Sequence, residues 1–265
     1  MCSPLLVHGE HTYTCICLAG FTGPKCQTPS VFSFETKGYI YVETQLLDPE
    51  APLNVTFSFR TERPYGTLLQ RRVDDLLLSI ELTDGHLGLR SLEGQGSSTL
   101  VQELPEYLSN NKWYTVEASL GGAVSMIQLL YTEESCTRAS EVQLLEPAPA
   151  LPEPGSVRHS LFIGAVRGNW NSGGGADEED HPPAFLGCFR DVLVDSRLVL
   201  PSAVPDGSDA QVNVSEGCSD RDRCDDSPCQ IRGRCVSQGW RSYTCECFRP
   251  YEGDDCAEGK THRGI

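Results

Sequence analysis

The sequence predicts a mainly β protein in which one large antiparallel sandwich lies between small cysteine-rich modules. Three observations carry that prediction. Short apolar runs with β alternation and almost no helical periodicity fill residues 31 to 217. A strong hairpin signal, Asp84-Gly85, sits among them, because glycine tolerates the positive φ that tight hairpins demand. Finally, ten of the 13 cysteines crowd into residues 2–26 and 224–256, outside the alternating region.

The N-terminal stretch "LVHGEHTYTCICLAGFTGPKC" and the C-terminal "CDDSPCQIRGRCVSQGWRSYTCECFRPYEGDDC" share a Tyr-Thr-Cys-x-Cys core, a glycine and a closing cysteine. A structural zinc site needs two close ligand pairs converging on one ion, and neither stretch supplies a second close pair. Redox chemistry of the thioredoxin type needs Cys-x-x-Cys within a βαβ pattern, which is absent. Small cysteine-dense segments that bury little apolar surface are held by covalent ties in oxidising compartments, so these cysteines are expected to form disulfides.

Between the modules, "LNVTFSFRT" places Leu53, Val55, Phe57 and Phe59 on one face and Asn54, Thr56, Ser58 and Arg60 on the other. "LLLSIELTDGHLGLRSL" predicts two strands joined at Asp84-Gly85. Further strands are expected at "STLVQEL", "KWYTVEASL", "VSMIQLLYT", "SLFIGAV" and "CFRDVLVD". Regularly spaced short strands make an antiparallel sandwich. Two breaks interrupt it: the Pro-rich Glu146 to Gly155, and the flexible acidic "RGNWNSGGGADEEDHPP".

Formal net charge is −16, which excludes nucleic acid and anionic membrane surfaces as partners because both would be repelled. No run of eighteen apolar residues occurs, so no membrane-spanning segment is expected, and no signal peptide precedes Cys2. A disulfide-rich chain of this kind is expected to be an excerpt or partial gene product of a longer secreted or membrane-anchored protein.

The C-terminal spacing, Cys-x4-Cys-x5-Cys-x9-Cys-x-Cys-x8-Cys with Tyr243 and Gly253, resembles an epidermal growth factor (EGF) module. That resemblance implies the pairs Cys224 with Cys235, Cys229 with Cys245, and Cys247 with Cys256. The N-terminal copy is incomplete: Cys17 would pair with Cys26, and Cys2 stands as the family's second or third cysteine. On either alignment Cys2 and Cys15 are left to each other. The middle region, with "FSFRT", Gly66, "IELTDGHL", "KWYTVEA", "LFIGA" and "FLGCFRDVLVD" before Cys218, resembles a laminin G-like domain, an antiparallel jelly-roll sandwich. This implies a closing disulfide between Cys188 and Cys218 and leaves Cys136 unpaired. Expected boundaries are 1–27 for a partial EGF-like module, 28–219 for the laminin G-like domain, 220–257 for an EGF-like module and 258–265 for a tail.

The EGF, laminin G, EGF order is shared by neurexins, agrin and flamingo-type cadherins. "PLNVTFSFRTERPYGTLLQ" and "LFIGAVRGNW", with the acidic insertion, are most similar to the Crumbs family. That resemblance implies an extracellular, apical plasma-membrane ectodomain supporting polarity and cell–cell contact, through an extracellular protein or glycan ligand or through homotypic ectodomain contacts. The runner-up is a lectin-like or neurexin/agrin-type module that binds glycans or receptors. Arg71-Arg72 is the one adjacent basic pair to support sulfated glycans.

No cofactor is required, and Ca²⁺ is the one candidate. The laminin G resemblance points to Asp75 as its ligand, and calcium's demand for several oxygens calls for a second side chain from Asn169, Asn171 or Asp177. In the C-terminal module, Asp220 and Asp222 fit half of a calcium pattern. There Arg223 and Ser237 replace expected ligands and argue against a site. No enzyme is expected. Glu81 with Asp84 reads as strand and turn residues, the Asp177 to Asp180 cluster sits in a Gly-rich loop, and the six histidines are scattered. Asn54 and Asn213 open N-glycosylation sequons, with Asn54 on the outward face of its strand.

Overall fold

The computed structural model describes residues 2–7, 10–46, 51–73, 76–93, 98–121, 124–130, 137–139, 157–164, 183–203, 210–218, 224, 228–237 and 243–259. It divides into two compact units, Met1–Cys218 and Ser219–Ile265.

The first unit opens with four strands, β1 (Cys2–Val7), β2 (Glu10–Leu18), β3 (Phe21–Thr22) and β4 (Thr28–Pro29). Then come β5 (Val31–Phe34), β6 (Tyr39–Leu46), β7 (Leu53–Arg60), β8 (Gly66–Val73), β9 (Leu76–Thr83), β10 (His86–Glu93) and β11 (Thr99–Glu103). They are followed by β12 (Tyr114–Leu120), β13 (Met126–Leu130), β14 (Thr137–Ala139), β15 (Val157–Gly164), β16 (Gly187–Val194), β17 (Arg197–Leu198), β18 (Gln211–Val212) and β19 (Ser215–Glu216). One sheet runs β11-β10-β9-β8-β15-β6-β18, and the other runs β13-β12-β7-β16-β5-β19 with β17 on β16. Every pairing within the two sheets is antiparallel.

Alternation explains which side chains lie between the sheets. In β7, Leu53, Val55, Phe57 and Phe59 are fully buried and Asn54 is exposed. Ser58 lies on the same outer face as Asn54 yet is also buried, where its hydroxyl meets that of Thr115 on β12 at 2.8 Å. Aromatic rings fill the centre, with Phe185 and Phe189 centroids 4.8 Å apart and Phe32 stacked on Phe189 at 5.6 Å. Such rings bury the largest apolar areas available and pack best when offset or tilted. The hairpin β9–β10 turns at Asp84 (φ +50°) and Gly85 (φ +82°), two positive φ angles in succession as the primed hairpin turns require.

The edge strands β11 and β13 belong to different sheets, and Gln102 joins them. Its side-chain amide donates to Ile127 O at 2.7 Å, and its carbonyl oxygen accepts from Ile127 N–H at 2.9 Å. One amide therefore satisfies two backbone groups that an edge strand would leave open.

The second unit holds β20 (Gly233–Ser237) and β21 (Tyr243–Cys247) as one hairpin and β22 (Tyr251–Glu252) with β23 (Glu258–Gly259) as another. The two cysteine modules end alike. Gly23 (φ +90°) with Cys26 (φ +56°) matches Gly253 (φ +96°) with Cys256 (φ +58°), and in each the cysteine N–H donates to the glycine carbonyl. Gly233 admits no side chain, because an added Cβ would lie 2.5 Å from Cys256 Sγ.

Candidate functional site

Three connections converge at one end of the sandwich. They are residues 61–65 between β7 and β8, the Asp84-Gly85 turn, and residues 104–113 between β11 and β12. Backbone hydrogen bonds tie them together: Gly85 N–H to Pro64 O (2.9 Å), Leu108 N–H to Gly85 O (2.8 Å) and Asn111 N–H to Thr61 O (2.9 Å). Ser109 Oγ donates to Arg63 O at 2.8 Å, and Thr61 Oγ1 donates to Leu186 O at 2.6 Å. On this tied frame Tyr65 is 45% exposed and Tyr107 is 52% exposed. The Tyr107 ring covers the glycine of the turn, where an added Cβ would lie 2.2 Å from Cε2. Tyr65 donates its hydroxyl to the Asp84 carboxylate, and that bond holds the phenol above its ordinary pKa. Large amphipathic rings on a rigid frame are what recognition surfaces use, since few rotors need ordering on contact.

Beside this rim, Trp113 carries two guanidinium groups, Arg190 at 4.4 Å and Arg60 at 5.4 Å from the ring centroid. Arg60 also donates to Cys218 Sγ at 3.2 Å. Its pKa is lowered, first by burial, with the like charge of Arg190 adding to the effect against the opposing pull of Glu62. The result is a cation–π platform assembled from three distant segments of a strongly acidic chain.

The opposite end of the sandwich carries an unexpected charge. Arg71 on β8 faces inward between Leu78 and Leu161, is 1% exposed, and meets His159 Nδ1 through Nη2 at 3.0 Å. Its Nε and Nη1 have no hydrogen-bond partner among the described residues. Burial pushes its pKa down to about 10, opposed by the charge of the Asp195 carboxylate. Gly121 on the facing sheet leaves room for it, since an added Cβ there would lie 2.7 Å from Nη1. Arg71 and Arg72 therefore do not form a surface basic pair, because alternation along β8 sends Arg71 into the core.

The structure brings together Cys2 with Cys15, Cys17 with Cys26, Cys188 with Cys218, Cys224 with Cys235, Cys229 with Cys245, and Cys247 with Cys256. Asn54 and Asn213 are exposed, and Asn213 Nδ2 donates to Lys37 O at 2.8 Å. Cys136, Asp75, Asn169, Asn171, Asp177, Asp220, Asp222 and Arg223 lie outside the described residues.

Among the described residues no group of three His, Cys, Asp or Glu is placed to hold a metal. Glu81 bonds Ser79 and pairs with Arg90 at 3.5 Å, while Asp84 is the turn residue, so these two carboxylates serve the sheet. No described helix is long and apolar enough to cross a membrane.

Comparison with known proteins agrees with this architecture. Residues 59–197 match the laminin G domain model, and residues 224–255 match the EGF-like domain model. The chain is 30% identical to mouse protein crumbs homolog 1 over 96% of its length and 30% identical to human protein crumbs homolog 2 over 97%. It is 27% identical to rat cadherin EGF LAG seven-pass G-type receptor 2 over 92%, which is 11% of that protein. The chain spans 18% of each crumbs homolog. Among solved structures, the LG1-3 region of the laminin alpha2 chain matches with a TM-score of 0.50 and 21% identity. That match covers 74% of this chain and 36% of the other, and it shows the fold.

Proposed function

Because this chain belongs to the laminin G domain family and carries an EGF-like domain, we propose that it is a non-enzymatic recognition and adhesion segment of a Crumbs-like polarity protein of the apical plasma membrane. The extracellular, adhesion-type character follows from the laminin G and EGF-like modules and their disulfides. The polarity role is carried over from the similarity to the crumbs homologs. The observation that carries the recognition reading is the pair Tyr65 and Tyr107, half-exposed on loops fastened to one another at a single rim. The ligand is an extracellular protein, with a second copy of the ectodomain as the first partner to test. The Trp113 platform favours a second reading, an acidic glycan held by Arg60 and Arg190.

A solid-phase panel of the chain's own ectodomain, sulfated glycans and neuronal receptors tests both. Tyr65→Ser with Tyr107→Ser is expected to weaken protein capture at least tenfold while leaving the melting temperature in place. Unchanged binding to every surface that captures the wild-type chain defeats the rim assignment. Loss on Arg190→Gln alone, confined to sulfated surfaces, selects the glycan reading.

A further inference from the structure

We infer that Asp191 locks the N-terminal module onto the sandwich, so that residues 10–30 and the two sheets turn as one body. The two neighbouring parts would otherwise meet at a simple chain crossing between Pro29 and Val31. Instead β16 carries a bulge between Arg190 and Leu193, and Asp191 within it adopts φ +55°. A bulge lifts a residue off the ladder and re-aims its side chain. A left-handed conformation is unfavourable at a residue other than glycine, and it persists where surrounding contacts over-determine it.

Here the contacts are mutual. Asp191 Oδ2 accepts from Gly20 N–H at 3.0 Å, and Oδ1 accepts from Ser30 Oγ at 2.5 Å. Asp191 N–H donates to Ser30 O at 3.1 Å, and Ser30 N–H donates to Gly20 O at 2.8 Å. Three residues from three parts of the chain thus close a ring of four hydrogen bonds, two of them strengthened by the carboxylate charge. Ser30 is 1% exposed, so water competes poorly for these groups. Gly20 (φ +88°) sits against Val31, where an added Cβ would lie 2.8 Å from Cγ2, so the module approaches as closely as backbone allows.

A second tie is independent of the first. β14 pairs with β2 through Thr137–Leu18, Arg138–Cys17 and Ala139–Ile16. The module therefore takes its third strand from the connection that follows β13, and its Cys15 and Cys17 are 0% and 1% exposed. A module with two disulfides gains from the sandwich the order that a third bridge provides elsewhere.

The test uses the full chain with isotopic labels. In the wild type, residual dipolar couplings from residues 10–30 and from the two sheets are expected to fit one alignment tensor. Asp191→Ala is expected to raise hydrogen exchange at Gly20 N–H about 10- to 100-fold and to require a second tensor, with Phe57 and Phe189 amides unchanged. Ser30→Ala removes only the hydroxyl and is expected to raise exchange at Gly20 roughly tenfold, which keeps the test open if Asp191→Ala does not fold. Two tensors in the wild type, or exchange at Gly20 within about twofold of wild type in the variants that fold, overturns the inference.

Discussion

Replacing the buried guanidinium in Arg71→Met should stabilise the sandwich. A pKa lowered from arginine's ordinary value to about 10 corresponds to roughly 3 kcal/mol against the charged form in the fold. Against that gain stands the lost hydrogen bond to His159, worth about 0.5 to 1.5 kcal/mol, and a small packing loss from the shorter side chain. The net expectation is a gain of about 1 to 2 kcal/mol, or a few degrees in melting temperature. Urea and thermal unfolding at pH 7, followed by near-UV circular dichroism, measure it. The folded pKa lies below the unfolded one, so the unfolded chain holds this proton more tightly. The penalty is therefore present in full below about pH 10 and is relieved as pH rises from there toward arginine's ordinary pKa. The advantage of Arg71→Met should accordingly shrink as pH rises through that window. Arg71→Ala separates charge from volume, since it removes the charge but leaves a cavity, and it should be less stable than Arg71→Met by about 2 kcal/mol or more. If Arg71→Met instead destabilises by more than about 1 kcal/mol, the guanidinium has a counterion worth more than its desolvation, and the reasoning fails.

Gln102→Ala should leave Ile127 N–H and C=O open on an edge strand, costing about 1 to 3 kcal/mol and increasing self-association in light scattering. Cys247→Ser removes the tie to Cys256 and should cost about 2 to 5 kcal/mol, unfolding the second unit while exchange protection in β7 and β16 persists. Asn54→Gln and Asn213→Gln should each remove one glycan from chain made in a secretory host, seen as a mass step. Asn213→Gln should also cost about 1 kcal/mol through its bond to Lys37 O. Secreted chain with Asn54 unmodified counts against its assignment as a glycan site.

Local chemistry made the fold class legible. Alternation in Leu53–Arg60, the Asp84-Gly85 turn and the doubled Tyr-Thr-Cys-x-Cys core are short-range patterns, and each implies its element without reference to the rest of the chain. β6 and β8 escaped that reading for opposite reasons. Tyr39, Ile40, Tyr41 and Val42 place apolar or aromatic groups on both faces, with Phe162 buried beneath the two tyrosines on the outer one. Arg71-Arg72 gives β8 a charged end that looks exposed in sequence, yet the alternation of the strand turns the first arginine inward, beside Leu78 and Leu161. The recognition rim, the Trp113 platform and the Asp191 lock were illegible because their parts lie far apart in the chain. Arg60 and Arg190 meet over Trp113, and Asp191 reaches Gly20 across 171 positions. Periodicity determines which face a side chain takes within its own strand. Which distant strand lies beside it is set by sheet order and register, long-range terms whose chain-closure cost is repaid only when the whole core assembles.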